Sequence, residues 1–362
     1  MILLAPGPVN VSPRVTRALA RGDLCHREPE FSDLLDAVRA KLVRSFAPQG
    51  GWVAVPLTGS GTLALEAAVT SSVSRGRKML VVANGVYGER ILEMAQTAGI
   101  DTVVVRGNWG TPPDLAAIDA ALAADDAIEV VALVHHETTT GLLNPVAEVG
   151  RIVRRHGKVF LVDAISGLAG DEMQLDAWGV DVCVGVANKC IQGLPGVGFV
   201  LARKSEMERM AAIPPRSVYM HLPRHFQAHE KRTVPFTAAV QVMYALDEAL
   251  DELLEEGVDR RIARYARAAA QLREGFAKLG LRFLLPPELR SNSITTLSLP
   301  PGFEYRELHD RLREDGFVIY EGQGQLSREV FRVANMGALT EDDFARFLVS
   351  LARALGREEA LR

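Results

Sequence analysis

The stretch Val182-Cys183-Val184-Gly185-Val186-Ala187-Asn188-Lys189-Cys190-Ile191-Gln192-Gly193-Leu194-Pro195-Gly196-Val197-Gly198-Phe199-Val200 holds two apolar runs around a loop of glycine and proline. Lys189 is its only charged residue. Runs that are apolar throughout and rich in β-branched residues read as strands of a sheet covered on both faces. Outward from this stretch, five more such runs come earlier, at 52–57, 79–83, 102–105, 130–134 and 159–162. Helical patterns at 62–73 and 88–98 separate the first three. Strands alternating with helices predict an α/β fold whose large domain is built on a mostly parallel, seven-stranded sheet. Ligands of such sheets gather at the carboxyl ends of the strands, so the residue just after each run matters most.

From 238 to 277 the pattern becomes that of a long amphipathic helix rich in Glu, Asp and Arg. Beyond it, runs at 294–299, 318–320 and 330–333 predict a smaller C-terminal α+β domain. The division is placed near 250, giving a large domain of 1–250 and a small one of 251–362. The 362 residues carry 41 Lys and Arg against 45 Asp and Glu, a formal net charge of −4. That balance offers no broad field for nucleic acid or anionic lipid. Three cysteines, Cys25, Cys183 and Cys190, are too few and scattered for a disulfide framework and form no CxxC pair, which argues against a zinc ribbon or a thioredoxin-type redox motif; no metal is expected. The start, Met1-Ile2-Leu3-Leu4-Ala5-Pro6, has no basic region ahead of an apolar one, and no run approaches the length that spans a bilayer. The expectation is a cytoplasmic protein.

The run 52–57 ends in Thr58-Gly59-Ser60-Gly61-Thr62, and a helix pattern follows. Free N–H groups and the positive dipole end at a helix start attract anions. A phosphate site is one reading of this loop, and an ordinary strand-to-helix turn is the other. The spacing Gly59-x-Gly61-x-x-Ala64 also fits a dinucleotide loop, but the next strand ends in Asn84-Gly85, where that loop needs an acid. Lys189, set among apolar residues, is costly unless paired, neutralised or used covalently. It reads either as a Schiff-base lysine or as a strand-end lysine whose amine reaches water. Asp163 closes the run 159–162. It either caps the next element or faces a pyridine nitrogen, keeping the ring of pyridoxal phosphate (PLP) protonated as an electron sink. Phosphate loop, Asp and Lys, in that order, form one pattern.

Further segments carry a resemblance that runs through nearly the whole chain. They are Ala5-Pro6-Gly7-Pro8, Gly59-Ser60-Gly61-Thr62, Asn84-Gly85-Val86-Tyr87-Gly88-Glu89-Arg90, and His136-Glu137-Thr138-Thr139-Thr140-Gly141 running on to Pro145. They continue with Val162-Asp163-Ala164, Ala187-Asn188-Lys189-Cys190-Ile191-Gln192-Gly193, Gly316-Phe317-Val318-Ile319-Tyr320 and Phe331-Arg332-Val333-Ala334-Asn335-Met336-Gly337. The chain resembles the class V PLP aminotransferases of fold type I, and among them the branch that acts on phosphonates. The resemblance implies that Lys189 holds PLP covalently and that Asp163 binds its pyridine nitrogen. It implies that Ser60, Gly61 and Thr62 cradle the phosphate together with Asn188. Tyr87 would stack on the ring, and Thr139 would approach the ring hydroxyl. Thr237 would reach the phosphate of a neighbouring subunit, making the protein a homodimer with shared sites. Arg332 would clamp the substrate anion, since a guanidinium suits bidentate grip of carboxylate or phosphonate. Plainer readings stand beside these: a core aromatic for Tyr87, a loop threonine for Thr139, an edge-strand arginine for Arg332.

Three places depart from the pattern: Ala5, the segment Cys25-His26-Arg27-Glu28-Pro29-Glu30-Phe31, and the loop Glu321-Gly322-Gln323-Gly324-Gln325-Leu326-Ser327. His26 and Arg27 are either extra anion contacts at the substrate entrance or parts of a capped surface loop. The implied reaction moves an amino group from 2-aminoethylphosphonate to pyruvate, giving phosphonoacetaldehyde and alanine. The departures leave open another pair of small-molecule amine donor and keto-acid acceptor, such as alanine or serine with glyoxylate. A nucleotide-binding scaffold using the 59–62 loop is opposed by the missing acid and by Lys189 and Asp163.

Overall fold

The computed structural model describes residues 1–361. Seven strands form the central sheet: β1 (Trp52–Thr58), β2 (Lys78–Ala83), β3 (Asp101–Arg106), β4 (Ile128–Val134), β5 (Val159–Asp163), β6 (Val182–Val186) and β7 (Val197–Arg203). Their order across the sheet is β1-β7-β6-β5-β4-β2-β3, and β7 alone runs antiparallel to its neighbours. Successive side chains of a strand point to opposite faces. Leu80 and Val82 of β2 therefore enter one apolar core while Met79 and Val81 enter the other. Two buried faces explain why the runs are apolar throughout instead of alternating.

Helices α1 (Pro29–Phe46) and α4 (Val240–Glu256) cover the first face, through residues such as Phe31, Leu35, Met243 and Leu246. Helices α2 (Gly61–Ser72) and α3 (Val86–Thr97) cover the second through Leu65, Ala68 and Ile91. The stretch 238–277, expected as one helix, is two. Helix α4 gives way to α5 (Val258–Lys278) at Gly257, whose φ of 86° no helix interior allows.

A three-stranded antiparallel sheet in the order β8-β10-β9 follows, from β8 (Ile294–Ser298), β9 (Tyr320–Glu321) and β10 (Val330–Ala334). Helix α5 with α6 (Tyr305–Glu314) and α7 (Glu341–Ala354) closes a third core around Phe276, Phe317, Phe331 and Phe347. Burying one such side chain contributes roughly 2–3 kcal/mol relative to exposure. Leu4 joins this core from the far end of the sequence, because Ile2–Leu3 pairs in parallel with Phe317–Val318. From there the chain passes the carboxyl ends of the main sheet at Pro6 and Gly7. Among the described residues no helix is long and apolar enough to cross a membrane.

Candidate active site

The carboxyl ends of β1, β2, β5 and β6, the start of the chain and β10 enclose one cavity of about 230 Å³. Asp163, Asn188, Lys189 and Arg332 line it. So do Ser60, Gly61 and Thr62 at the start of α2, and Tyr87 in the first turn of α3. Eight residues expected from the sequence thus meet in one place, although they span 60 to 332 in the chain.

Asp163 ends β5 between Val134 of β4 and Val184 of β6, so the middle of the sheet fixes its position. It is 3% exposed. One backbone N–H, that of Ile165, reaches its Oδ1 at 3.0 Å. Burial pushes this carboxyl up to about 6, while the Ile165 N–H and the charges of Lys189 and Arg90 pull the other way.

Lys189 sits in the tight loop between β6 and β7, where Gln192 N–H donates to the Lys189 carbonyl at 2.9 Å and Gly193 N–H to that of Ala187 at 2.8 Å. The Gln192 side chain ties the loop to α5 and to the segment after β10 by donating to Tyr265 Oη at 2.6 Å and to the Gly337 carbonyl at 2.7 Å. Lys189 itself is 9% exposed. Its Nζ donates to Ser166 Oγ at 2.7 Å and lies 5.7 Å from the centre of the Tyr87 ring.

At the start of α2, Ser60 is the N-cap and accepts from Leu63 N–H at 3.3 Å. The N–H groups of Gly61 and Thr62 have no partner within the helix, and with the dipole they suit a bound phosphate. The turn carrying Tyr87 is held by Glu137, which the sequence reading did not assign. Glu137 Oε2 accepts from the N–H of Tyr87 and of Gly88, each at 3.2 Å, and Oε1 accepts from Thr139 Oγ1 at 2.7 Å. A Cβ on Gly85 would stand 2.2 Å from the Glu137 side chain, so this approach requires glycine there. Burial raises the Glu137 carboxyl and these hydrogen bonds lower it.

Thr139 is buried outside the cavity lining, its hydroxyl taken by Glu137 and by Val86 N–H at 3.1 Å. Thr237 is exposed in the loop before α4, beside Phe236 and Tyr219. His26 is half-buried and Arg27 exposed, with Arg27 Nη1 donating to the Val234 carbonyl at 3.5 Å. None of these four residues lines the cavity. Arg90, Tyr320 and Gln323 do line it and were not assigned. The Arg90 guanidinium lies 4.8 Å from the Tyr87 ring centre. The spacing of three between Tyr87 and Arg90 on a helix was the one available sign. Arg332, 2% exposed, donates from Nε to the Glu321 carbonyl at 2.9 Å and from Nη1 to the Thr138 carbonyl at 3.0 Å and Gln323 Oε1 at 3.1 Å.

A buried carboxylate with one partner, an amine held by a hydroxyl, an aromatic face and a helix start with open N–H groups compose one donor set. It fits a small aromatic molecule with a basic ring nitrogen, an aldehyde and a phosphate.

Residues 21–347 match the family described as aminotransferase class-V. The chain is 38% identical over 365 residues to 2-aminoethylphosphonate–pyruvate transaminase of Vibrio cholerae serotype O1, covering 99% of both. It is 37% identical to the enzyme of that name from Syntrophobacter fumaroxidans, covering 98% of this chain and 96% of that one. Among solved structures, pyridoxamine–pyruvate aminotransferase from Mesorhizobium loti superposes with a TM-score of 0.92 at 29% identity, over 100% of this chain and 93% of that one. An aspartate aminotransferase from Thermus thermophilus gives 0.89 at 29% identity, over 98% and 99%.

Proposed function

The chain belongs to the class V aminotransferases, PLP enzymes of fold type I, and from that premise we propose that it moves the amino group of 2-aminoethylphosphonate to pyruvate, yielding phosphonoacetaldehyde and alanine. The observation that carries the choice of substrates is the full-length match to transaminases of that name, at 35–38% identity. The cavity supports it with a buried guanidinium, Arg332, facing the same space as Lys189.

Bound PLP supplies an aldehyde that condenses with amines and a ring that takes up the charge left when a carbon loses its proton. Lys189 would be its point of attachment. Freed, Lys189 Nζ would be the base that takes the proton from the amine-bearing carbon and then the acid that gives it up to the carbon that began as the aldehyde. Ser166 Oγ holds that nitrogen in place. Asp163 would face the ring nitrogen, where its carboxylate would keep that nitrogen protonated. Ser60, Gly61, Thr62 and Asn188 would hold the phosphate, and Tyr87 would cover one face of the ring. Thr139 serves at one remove, anchoring the turn of Tyr87 through Glu137 and Val86. Arg332 binds the phosphonate of the donor and then the carboxylate of pyruvate.

The enzyme works as a homodimer in which the loop of Thr237 approaches the phosphate of the other subunit. Val218 and Tyr219, 66% and 37% exposed near that loop, provide the apolar surface for a second copy. Three unpaired cysteines suit the reducing cytoplasm. The test is a screen of amine donors with pyruvate, following alanine. The reading requires 2-aminoethylphosphonate to give the highest kcat/KM. Preference for alanine or serine with glyoxylate would replace it.

A further inference from the structure

The loop after β9 puts an amide where the substrate anion must bind. Gln323 lines the cavity beside Arg332 and Tyr320. The loop is held on both sides of it. A Cβ on Gly322 would meet the Leu326 carbonyl at 2.2 Å, and one on Gly324 would meet the Trp109 ring at 2.6 Å, so the backbone is packed against both. Gly322 N–H donates to the Val330 carbonyl at 3.0 Å, tying the loop to β10, which carries Arg332.

The orientation of the amide follows from chemistry. A guanidinium has donors only, so the end of Gln323 that faces Arg332 Nη1 at 3.1 Å is its oxygen. The Gln323 Nε2 hydrogens are left for the cavity. Arg332 Nε and both hydrogens of Nη1 are already taken by Glu321, Thr138 and Gln323. The guanidinium therefore offers its Nη2 end to a ligand, not the two-nitrogen fork expected from residue type alone.

We propose that Gln323 determines substrate specificity: its Nε2 donates to an anion oxygen beside the one held by Arg332, so the pair favours a three-oxygen phosphonate over a two-oxygen carboxylate. The proposal deepens the reading above and rests on it for the class of anion. A tetrahedral phosphonate has an oxygen for Nη2, another for Nε2 and a third for water. A planar carboxylate that engages Nη2 turns its second oxygen along the guanidinium edge, where Nη1 is already taken by the Thr138 carbonyl and Gln323 Oε1. Two acceptors then oppose each other.

The test measures binding of unreactive anions to the PLP-loaded enzyme by calorimetry, with ethylphosphonate and propionate as probes. The wild type binds ethylphosphonate more tightly. In Gln323→Leu the ratio of the two dissociation constants falls at least tenfold, the effect of one hydrogen bond to a charged group. Gln323→Glu, which keeps the acceptor and replaces the donor with a charge, shifts the ratio in the same direction. Equal weakening of both anions by either variant, or no preference in the wild type, overturns the proposal. Neither probe is turned over. A wild type that prefers ethylphosphonate in binding yet fails to transaminate 2-aminoethylphosphonate contradicts the donor assignment and leaves the role of Gln323 standing.

Discussion

Lys189 Nζ and Ser166 Oγ are 2.7 Å apart, and the Ser166 carbonyl in turn accepts from Cys190 Sγ at 3.6 Å. The turn after β5 therefore grips the lysine loop at two points, one on the amine and one on the next residue. A single hydroxyl fixes where the amine stands relative to Asp163, three residues before it.

Ser166→Ala removes that hold. The expected result is a fall in kcat of about tenfold, the worth of one hydrogen bond, with KM changed less than about twofold. Ser166→Thr restores most of it. Steady-state kinetics of the three proteins check this, and an equal rise in KM would point to general disruption instead.

Glu137→Ala leaves the N–H groups of Tyr87 and Gly88 and the Thr139 hydroxyl without their partner. Stability falls by about 2–3 kcal/mol in urea unfolding, and affinity for PLP falls with it because Tyr87 loses its fixed turn. A stable variant with normal cofactor affinity would remove Glu137 from the account.

Asp171, buried in the segment between β5 and β6, has its carboxyl pushed up to about 7 by burial, opposed by the Asn292 N–H and the charge of Arg273. Its folded value lies above the ordinary 3.8, so the folded state binds the extra proton between about 4 and 7. Its contribution to stability is present below that window and is lost as pH rises through it. Relative to Asp171→Asn, the cofactor-free wild type loses a few kcal/mol at most between pH 4 and 7, about 1.4 per pH unit. His136 and His135, pushed down to about 3 and about 4, act in the opposite sense, which is why the difference between the two proteins is the quantity to measure.

Thr237→Ala weakens PLP binding about tenfold if the threonine serves the neighbouring subunit. Mixed with Lys189→Ala, it forms hybrid dimers in which one site has both residues intact. About a quarter of all sites then regain wild-type cofactor affinity. A mixture that behaves as the average of its two parents rules out shared sites.

The main sheet was legible because both its faces are buried, so each strand announces itself as an unbroken apolar run. Lys189 and Asp163 were legible because a charge at the end of such a run is costly without a role. Ser166, Glu137 and Gln323 were not. Each is an ordinary polar residue whose work depends on a partner distant in sequence: Lys189, the first turn of α3 and Arg332 respectively. Thr139 shows the converse, a residue expected at the ring whose hydroxyl is spent on Glu137. The break at Gly257 was hidden because α4 and α5 are both amphipathic, and periodicity continues across a turn that only the backbone angle reveals.

The central claim is that Lys189 carries the cofactor in the cavity shared with Asp163 and Arg332. Reducing the yellow holoenzyme with borohydride and mapping its peptides by mass spectrometry tests it most directly. The account predicts one modified peptide, bearing reduced PLP on Lys189, and a colourless Lys189→Ala protein. Cofactor found on any other lysine, or a Lys189→Ala protein that stays yellow and active, would contradict it.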